Sequence, residues 1–226
     1  MADGPVTGPS TPPVITDELD AAAEAEFELQ GVEGSIWTGT RLLIGVVTFL
    51  WAGLGFAYFY LRESDSQTLW RPHHVTPSTL LGTLIALSVV VGAALAGYGR
   101  SNLRQGRYLD WAVSAWATVG FGVLAAGLQI WELTRLGFLP GLSGYTSVFI
   151  GFAPLNIAFI AGGTYWIETS AARALRLRAV LADTGGLGLS PLSDARVLRA
   201  NIEGVTYFWW YMALIEVLFW ALFYLL

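Results

Sequence analysis

Five long apolar stretches alternate with polar ones along this chain, over about residues 39–61, 78–98, 111–135, 145–167 and 205–226. As a helix rising ~1.5 Å per residue, each is long enough to cross a hydrocarbon core of ~30 Å. The first ends in Tyr58-Phe-Tyr-Leu-Arg62, an aromatic and basic signature of a membrane interface. The second is small-sided: Gly82, Ser88, Gly92, Ala93, Ala96 and Gly97 include an Ala93-x-x-x-Gly97 step that permits close helix packing. The third opens near Asp110 and Trp111 and carries Gln129 and Glu132 on one face of its last turns. Read in isolation, Glu132 near Arg135 is an interfacial charge. The fourth contains Pro154, expected to kink it, then Asn156 and Gly162-Gly163. Asn156 is placed to satisfy a backbone carbonyl freed by the proline or to bond a neighbouring helix. The pattern predicts an all-α polytopic membrane protein, a bundle of five transmembrane helices.

The fifth stretch organises the rest. Glu216 sits near its middle, and no Arg or Lys lies within it. A carboxylate at that depth costs ~2.5–3.5 kcal/mol even on mild insertion scales, so Glu216 is expected to face protein. On a 3.6-residue period it shares a face with Trp209, Met212, Phe219 and Phe223. Its expected partners within the chain are the hydroxyls of Tyr211, Thr48 or Ser88, or the amide of Asn156.

Residues 1–34 are rich in Pro, Gly, Ser and Thr, then in Ala and acids, and lack the basic n-region of a signal peptide. They read as a disordered acidic tail, with room for a short helix near 20–29 or a partner-binding arm; the membrane domain is then 35–226. The loop after the first span holds Trp70, Pro72 and the adjacent pair His73 and His74, which make a poor chelate and read as solvated. The longest polar connection, 168–200, carries Arg173, Arg176, Arg178, Arg196 and Arg199.

Composition agrees with the membrane class: 54% of residues are hydrophobic and only 13% charged. The net charge of −5 comes from acids gathered ahead of the first span. With no cysteine and only two adjacent histidines, the chain is expected to carry no metal or haem redox centre of its own.

With the spans placed, residues 38–226 resemble subunit III of haem-copper oxidases. The family's Tyr-Phe-x-Leu-Arg phrase is seen at Tyr58-Phe59-Tyr60-Leu61-Arg62, and its Trp–Pro loop and following helix at Trp70, Pro72, Pro77, Thr83 and Ser88. Its Gln-x-x-Glu is Gln129-Ile-Trp-Glu132, its Tyr-x-Ser-x-Phe is Tyr145-Thr-Ser147-Val-Phe149, and its acid in a final aromatic frame is Glu216 with Tyr224. The departures are grouped. The family's intramembrane Glu falls on Val47, its His-x-x-His pair on Asn156 and Phe159, and a further His on Ala213. Loss of an acid and its histidines together is self-consistent if they form one polar cluster. The usual seven-helix form has two further N-terminal helices, so its lipid-holding cleft is expected to be incomplete within this sequence.

The resemblance implies a non-catalytic subunit flanking the catalytic subunit I, with subunit II and others as further partners, membrane lipids around it and no nucleic acid. Haem and copper would reside in the partners, and bound lipid is the one ligand expected on this chain. The implied role is to stabilise subunit I and sustain its proton uptake while the complex reduces O2 to water and translocates protons. Arg62, Gln129, Glu132, Asn156, Tyr211 and Glu216 are then the structural or interface candidates. A quinol oxidase subunit III, or an accessory protein of nitric oxide reductase, would look alike. A small transporter with Glu216, Glu132 and Gln129 as pathway groups, or a membrane scaffold, is the reading of another class.

Of the 12 basic residues, all Arg, nine lie on the side that holds the N-terminus and the 99–110 and 168–200 connections; only Arg62, Arg71 and Arg135 lie opposite. The positive-inside rule therefore places the N-terminus in the cytoplasm and the C-terminus outside, in the plasma membrane of a bacterium. A reporter fused after Leu226 is expected to be active only outside; cytoplasmic activity would overturn this orientation.

Overall fold

The computed structural model of the chain describes residues 14–65, 70–71, 77–183 and 189–226. Its described residues form α1 (Val14–Ser64), α2 (Thr79–Arg104), α3 (Tyr108–Arg135), α4 (Gly144–Asp183) and α5 (Leu189–Trp220), and α5 runs on into a π-helical turn, Ala221–Leu225. All five helices contain a segment long and apolar enough to span a membrane, and no strand occurs among the described residues. The bundle is all-α. Ser78 caps α2, its hydroxyl accepting from the backbone N–H of Leu81. α2 turns into α3 through Gly106, whose φ of 77° is a left-handed value that favours glycine.

Two expectations are corrected by longer helices. The segment read as a disordered tail up to residue 34 is helical from Val14 onward and continuous with the first span. Its Ala, Glu and Leu are strong helix formers, and Gln30 donates to Glu26 one turn back (3.0 Å). Arg196 of α5 then clamps the arm, donating to Glu26 (2.7 and 3.0 Å) and to Glu33 (2.8 and 3.2 Å). Residues 1–13 lie outside the described residues. The 168–200 connection is likewise mostly helix, because α4 continues to Asp183 and α5 begins at Leu189. Its run of Ala, Leu and Arg favours helix, and Ala171, Leu198 and Ile202 continue the core. The histidine pair His73 and His74 lies outside the described residues.

α5 packs against α1, α2 and α4, while α3 packs on α2 and α4. The centre of this arrangement is one indole. Trp209 of α5 lies against Gly92 of α2, Gly122 of α3 and Gly163 of α4, where added Cβ atoms would stand 3.1, 3.1 and 3.5 Å from its ring. Its Nε1 donates to the Gly163 carbonyl (3.2 Å). Lipid tails are as apolar as leucine, so helices in a membrane associate by close packing; glycines opposite a large ring supply it.

A second, aromatic cluster holds the far end of α5. Tyr58 donates to the Leu222 carbonyl (2.7 Å), while Tyr145 (2.8 Å) and Arg71 (3.0 Å) donate to that of Phe223. The π turn bonds in the i to i+5 register, seen in Leu226 N–H to Ala221 (3.1 Å), which leaves the Leu222 carbonyl free for Tyr58.

Substitutions at two glycines of α3 test the packing. A Cβ at Gly122 would overlap Thr164 and press on Trp209, whereas nothing lies within 4 Å of one at Gly120. Gly122→Ala is expected to destabilise by ~1–3 kcal/mol through overpacking. Gly120→Ala is expected to be neutral or stabilising, since alanine is the better helix former by roughly 0.5–1 kcal/mol. Thermal unfolding in detergent reads the difference, and equal effects would contradict this packing.

Candidate functional site

Glu216 lies on the inner face of α5 with the neighbours its period predicts: Trp209, Met212, Phe219 and Phe223 are all buried, and Glu216 itself is 4% exposed. Of the four expected partners it finds the amide. Asn156, wholly buried on α4, donates from Nδ2 to Glu216 Oε2 at 2.8 Å. The same nitrogen donates to Gln129 Oε1 of α3, also at 2.8 Å. Asn156 therefore bonds two neighbouring helices rather than a carbonyl freed by Pro154.

The chain of contacts continues. Gln129 donates from Nε2 to Glu132 Oε2 (3.3 Å), one turn further along α3. Tyr224 of the π turn donates to the Glu132 carboxyl, 2.8 and 2.9 Å from its two oxygens. A continuous line of five side chains thus runs Glu216–Asn156–Gln129–Glu132–Tyr224 and joins α3, α4 and α5 inside the bundle. Gln129 and Glu132 are 2% and 1% exposed, which corrects the reading of Glu132 as an interfacial charge. Glu132 shares the inward face of Gln129, Ala125 and Gly122, whereas Arg135 turns outward and lies over the Trp131 ring (5.7 Å).

Tyr224 was visible in the sequence only as the end of an aromatic frame. On a regular α-helix it would point about 80° away from Glu216. The π turn takes more residues per turn and brings it back to the inner side. Gly82 of α2 makes room for the ring, since a Cβ there would overlap Tyr224. Nothing in the local composition announces the π turn, whose carbonyls accept from Tyr58, Tyr145 and Arg71.

The remaining candidates stand apart from this line. Tyr211 is half-buried and hydrogen-bonded to Thr48 (3.0 Å), tying α5 to α1. Arg62 is exposed in the last turn of α1. Ser88 bonds back to the Leu84 carbonyl of its own helix (2.7 Å).

One buried acceptor within the line has no donor: Asn156 Oδ1. The two carboxyls are separated by two amides, so they do not converge on a point as metal ligands must. What the arrangement does offer is a connected set of two acids and two amides, shielded from water, through which hydrogen-bond direction is communicated.

Removing the amide is expected to cost more than neutralising the acid. Glu216→Gln keeps the shape, and intramembrane hydrogen bonds average only ~0.6 kcal/mol, so its effect should be small. Asn156→Leu strands Glu216 and Gln129 together and should destabilise by ~1–3 kcal/mol. Unfolding in detergent checks the order, and Glu216→Gln proving the more damaging would contradict the geometry.

No family model matches the sequence, and no curated protein matches it.

Proposed function

We propose that this chain is a non-catalytic accessory subunit of a respiratory haem-copper terminal oxidase, resembling subunit III. In this role it flanks the catalytic subunit, stabilises it and sustains its proton uptake, with haem and copper held by the partners. Its place is the bacterial plasma membrane, N-terminus in the cytoplasm.

The observation that carries the reading is spatial. The phrases of the resemblance are scattered over the sequence, yet one or more residues from each of five of them meet in two adjoining clusters, while Arg62 and Ser88 stand apart. Gln129, Glu132, Glu216 and Tyr224, with Asn156 at a histidine position of the family, form the buried polar line. Tyr58 and Tyr145, from two other phrases, donate to consecutive carbonyls of the π turn. Trp70, from the loop phrase, packs edge-on against both tyrosines, with centroids 5.0 and 5.9 Å apart. Chance matches of short phrases have no reason to share contacts in this way.

The departures support the same reading. Val47, where the family has an acid, and Phe159, where it has the second histidine, belong to one apolar cluster around Trp51. With both polar groups absent the cluster is lined by apolar and aromatic side chains.

Isolation of the tagged chain from its native membranes in mild detergent tests the proposal. A haem-containing, oxygen-reducing partner is expected to co-purify, and deletion of the chain is expected to shorten the time over which that activity is sustained. Recovery of the chain with no haem protein, or an unchanged oxidase in its absence, would overturn it.

A further inference from the structure

The buried line of acids and amides has a property that goes beyond a role in an oxidase and does not depend on it: its hydrogen bonds can also run in the opposite direction. In the arrangement present, Asn156 Nδ2 donates to both Glu216 and Gln129, Gln129 Nε2 donates to Glu132, and both carboxyls accept. An amide turned by half a revolution exchanges its oxygen and nitrogen at almost no change of shape. With both amides turned, Asn156 Oδ1 accepts from Gln129 Nε2 and from a Glu216 O–H, and Gln129 Oε1 accepts from a Glu132 O–H. Tyr224 still donates to the second oxygen of Glu132. In the first state Asn156 Oδ1 is the unpartnered atom; in the second it is the Asn156 nitrogen, in the same place. The turned state leaves two N–H donors of Asn156 idle where the first leaves one oxygen, and it gains a partner for each carboxyl O–H, so it is competitive only with both protons bound.

The amides do not turn singly. The Asn156 nitrogen and the Gln129 oxygen are 2.8 Å apart, so turning one alone sets oxygen against oxygen or N–H against N–H across that gap. We propose that Gln129 and Asn156 form a reversible amide relay that makes Glu132 and Glu216 a paired proton-binding site, filled and emptied together. The balance is simple: each carboxylate takes one proton from the aqueous phase and forms one O–H bond, with no electron transferred. A single protonated carboxyl can still accept an amide N–H through its other oxygen, whereas the turned amides present acceptors at both ends, so turning is favoured when both acids carry protons.

The charged and titratable groups around the pair leave this relay in control. α1 contributes Tyr58, the connection before α2 contributes Arg71, and α4 contributes Tyr145. Arg71 is engaged with the Phe223 carbonyl and lies 5.0 Å from the centre of the Tyr145 ring. The described part of α2 presents only the hydroxyls of Thr83 and Ser88, both bonded to their own helix. α3 adds Arg135, turned outward over Trp131, and α5 adds Tyr211 and Tyr224. Repulsion between two bare carboxylates alone would make the second proton bind less readily than the first and spread the titration into two shallow steps. The relay predicts the opposite sign of coupling.

Infrared titration of the full chain in lipid nanodiscs, following the carbonyl stretch of protonated carboxyl groups in H2O and D2O, separates the two. The expected result, in the high-frequency part of the band that carboxyls shielded from water occupy, apart from the exposed acids of the chain, is one envelope that grows in a single step steeper than a one-proton curve. Glu216→Gln and Glu132→Gln should each remove about half of its amplitude, consistent with one proton per acid, and reduce the step to one-proton steepness. Gln129→Leu, which keeps both acids and cuts the relay, should retain the amplitude and lose the steepness. Helix content and thermal unfolding establish that each variant is folded; if Gln129→Leu is not, the two isosteric Gln variants carry the test alone. Two shallow steps in the native chain, unchanged steepness in the folded variants, or no carboxyl band over the range in which the chain is folded would overturn the proposal.

Discussion

A carboxyl group inside a hydrocarbon layer has no water to turn to, so the protein must answer each of its hydrogen bonds. That requirement governs this bundle more than any other. Glu216 and Glu132 sit on different helices, and the groups that answer them are neutral: two amides and a phenol. Neutral partners avoid the desolvation cost that a buried arginine would add. They also leave both acids able to change protonation without breaking an ion pair. The same requirement accounts for the grouping of polar residues. Each is placed where the preceding one needs a partner, and α3, α4 and α5 are bound together as a result.

The line exists only because the helices come close enough for short side chains to reach across. Asn156 and Gln129 are not long, and a wider separation would leave a gap that lipid or water would fill. Trp209 sets the approach. Its indole lies over glycines of three helices, so the backbones of α2, α3 and α4 draw in around it. Gly82 does the same for Tyr224 and lets the phenol reach Glu132. Small residues on α2, α3 and α4 and large ones on α5 are thus two halves of one packing arrangement.

Much of this was legible in the sequence. The five spans followed from hydropathy, the inner face of α5 from its period, and Asn156 as one of four candidate partners of Glu216 from polarity at a plausible depth. Two kinds of feature were not legible. Helix lengths outside the membrane were underestimated, because a polar, charged segment reads as loop by hydropathy although Ala, Glu, Leu and Arg favour helix. The ion pairs from Arg196 to Glu26 and Glu33 that fasten α1 to α5 join residues more than 160 positions apart. The burial of Glu132 was missed for a related reason. Its sequence neighbour Arg135 suggested an interface, whereas its spatial neighbour Tyr224 is supplied by a π turn with no local signature.

On the reading of this chain as resembling subunit III, the position of its polar groups has a consequence for where protons interact with it. The family's acid lies on the helix corresponding to α1, and here that position is Val47, packed among aromatic rings. The acids that remain face α3, α4 and α5, and α1 contributes to the adjoining cluster only through Tyr58 and apolar groups. Among the described residues of the spans the acids are Glu132 and Glu216, so on this reading a response to pH within the membrane runs through their line and not through α1. Such a response would be transmitted by α5, which carries Glu216 and Tyr224 at its inner face and touches α1, α2 and α4. Tyr224 keeps its bond to Glu132 in either direction of the line, so the π turn stays tied to the buried acids throughout. Three donors from outside α5 hold that turn in place, and Arg71 among them belongs to a connection at the membrane surface. The buried acids are in this way linked to a surface segment through one turn of helix.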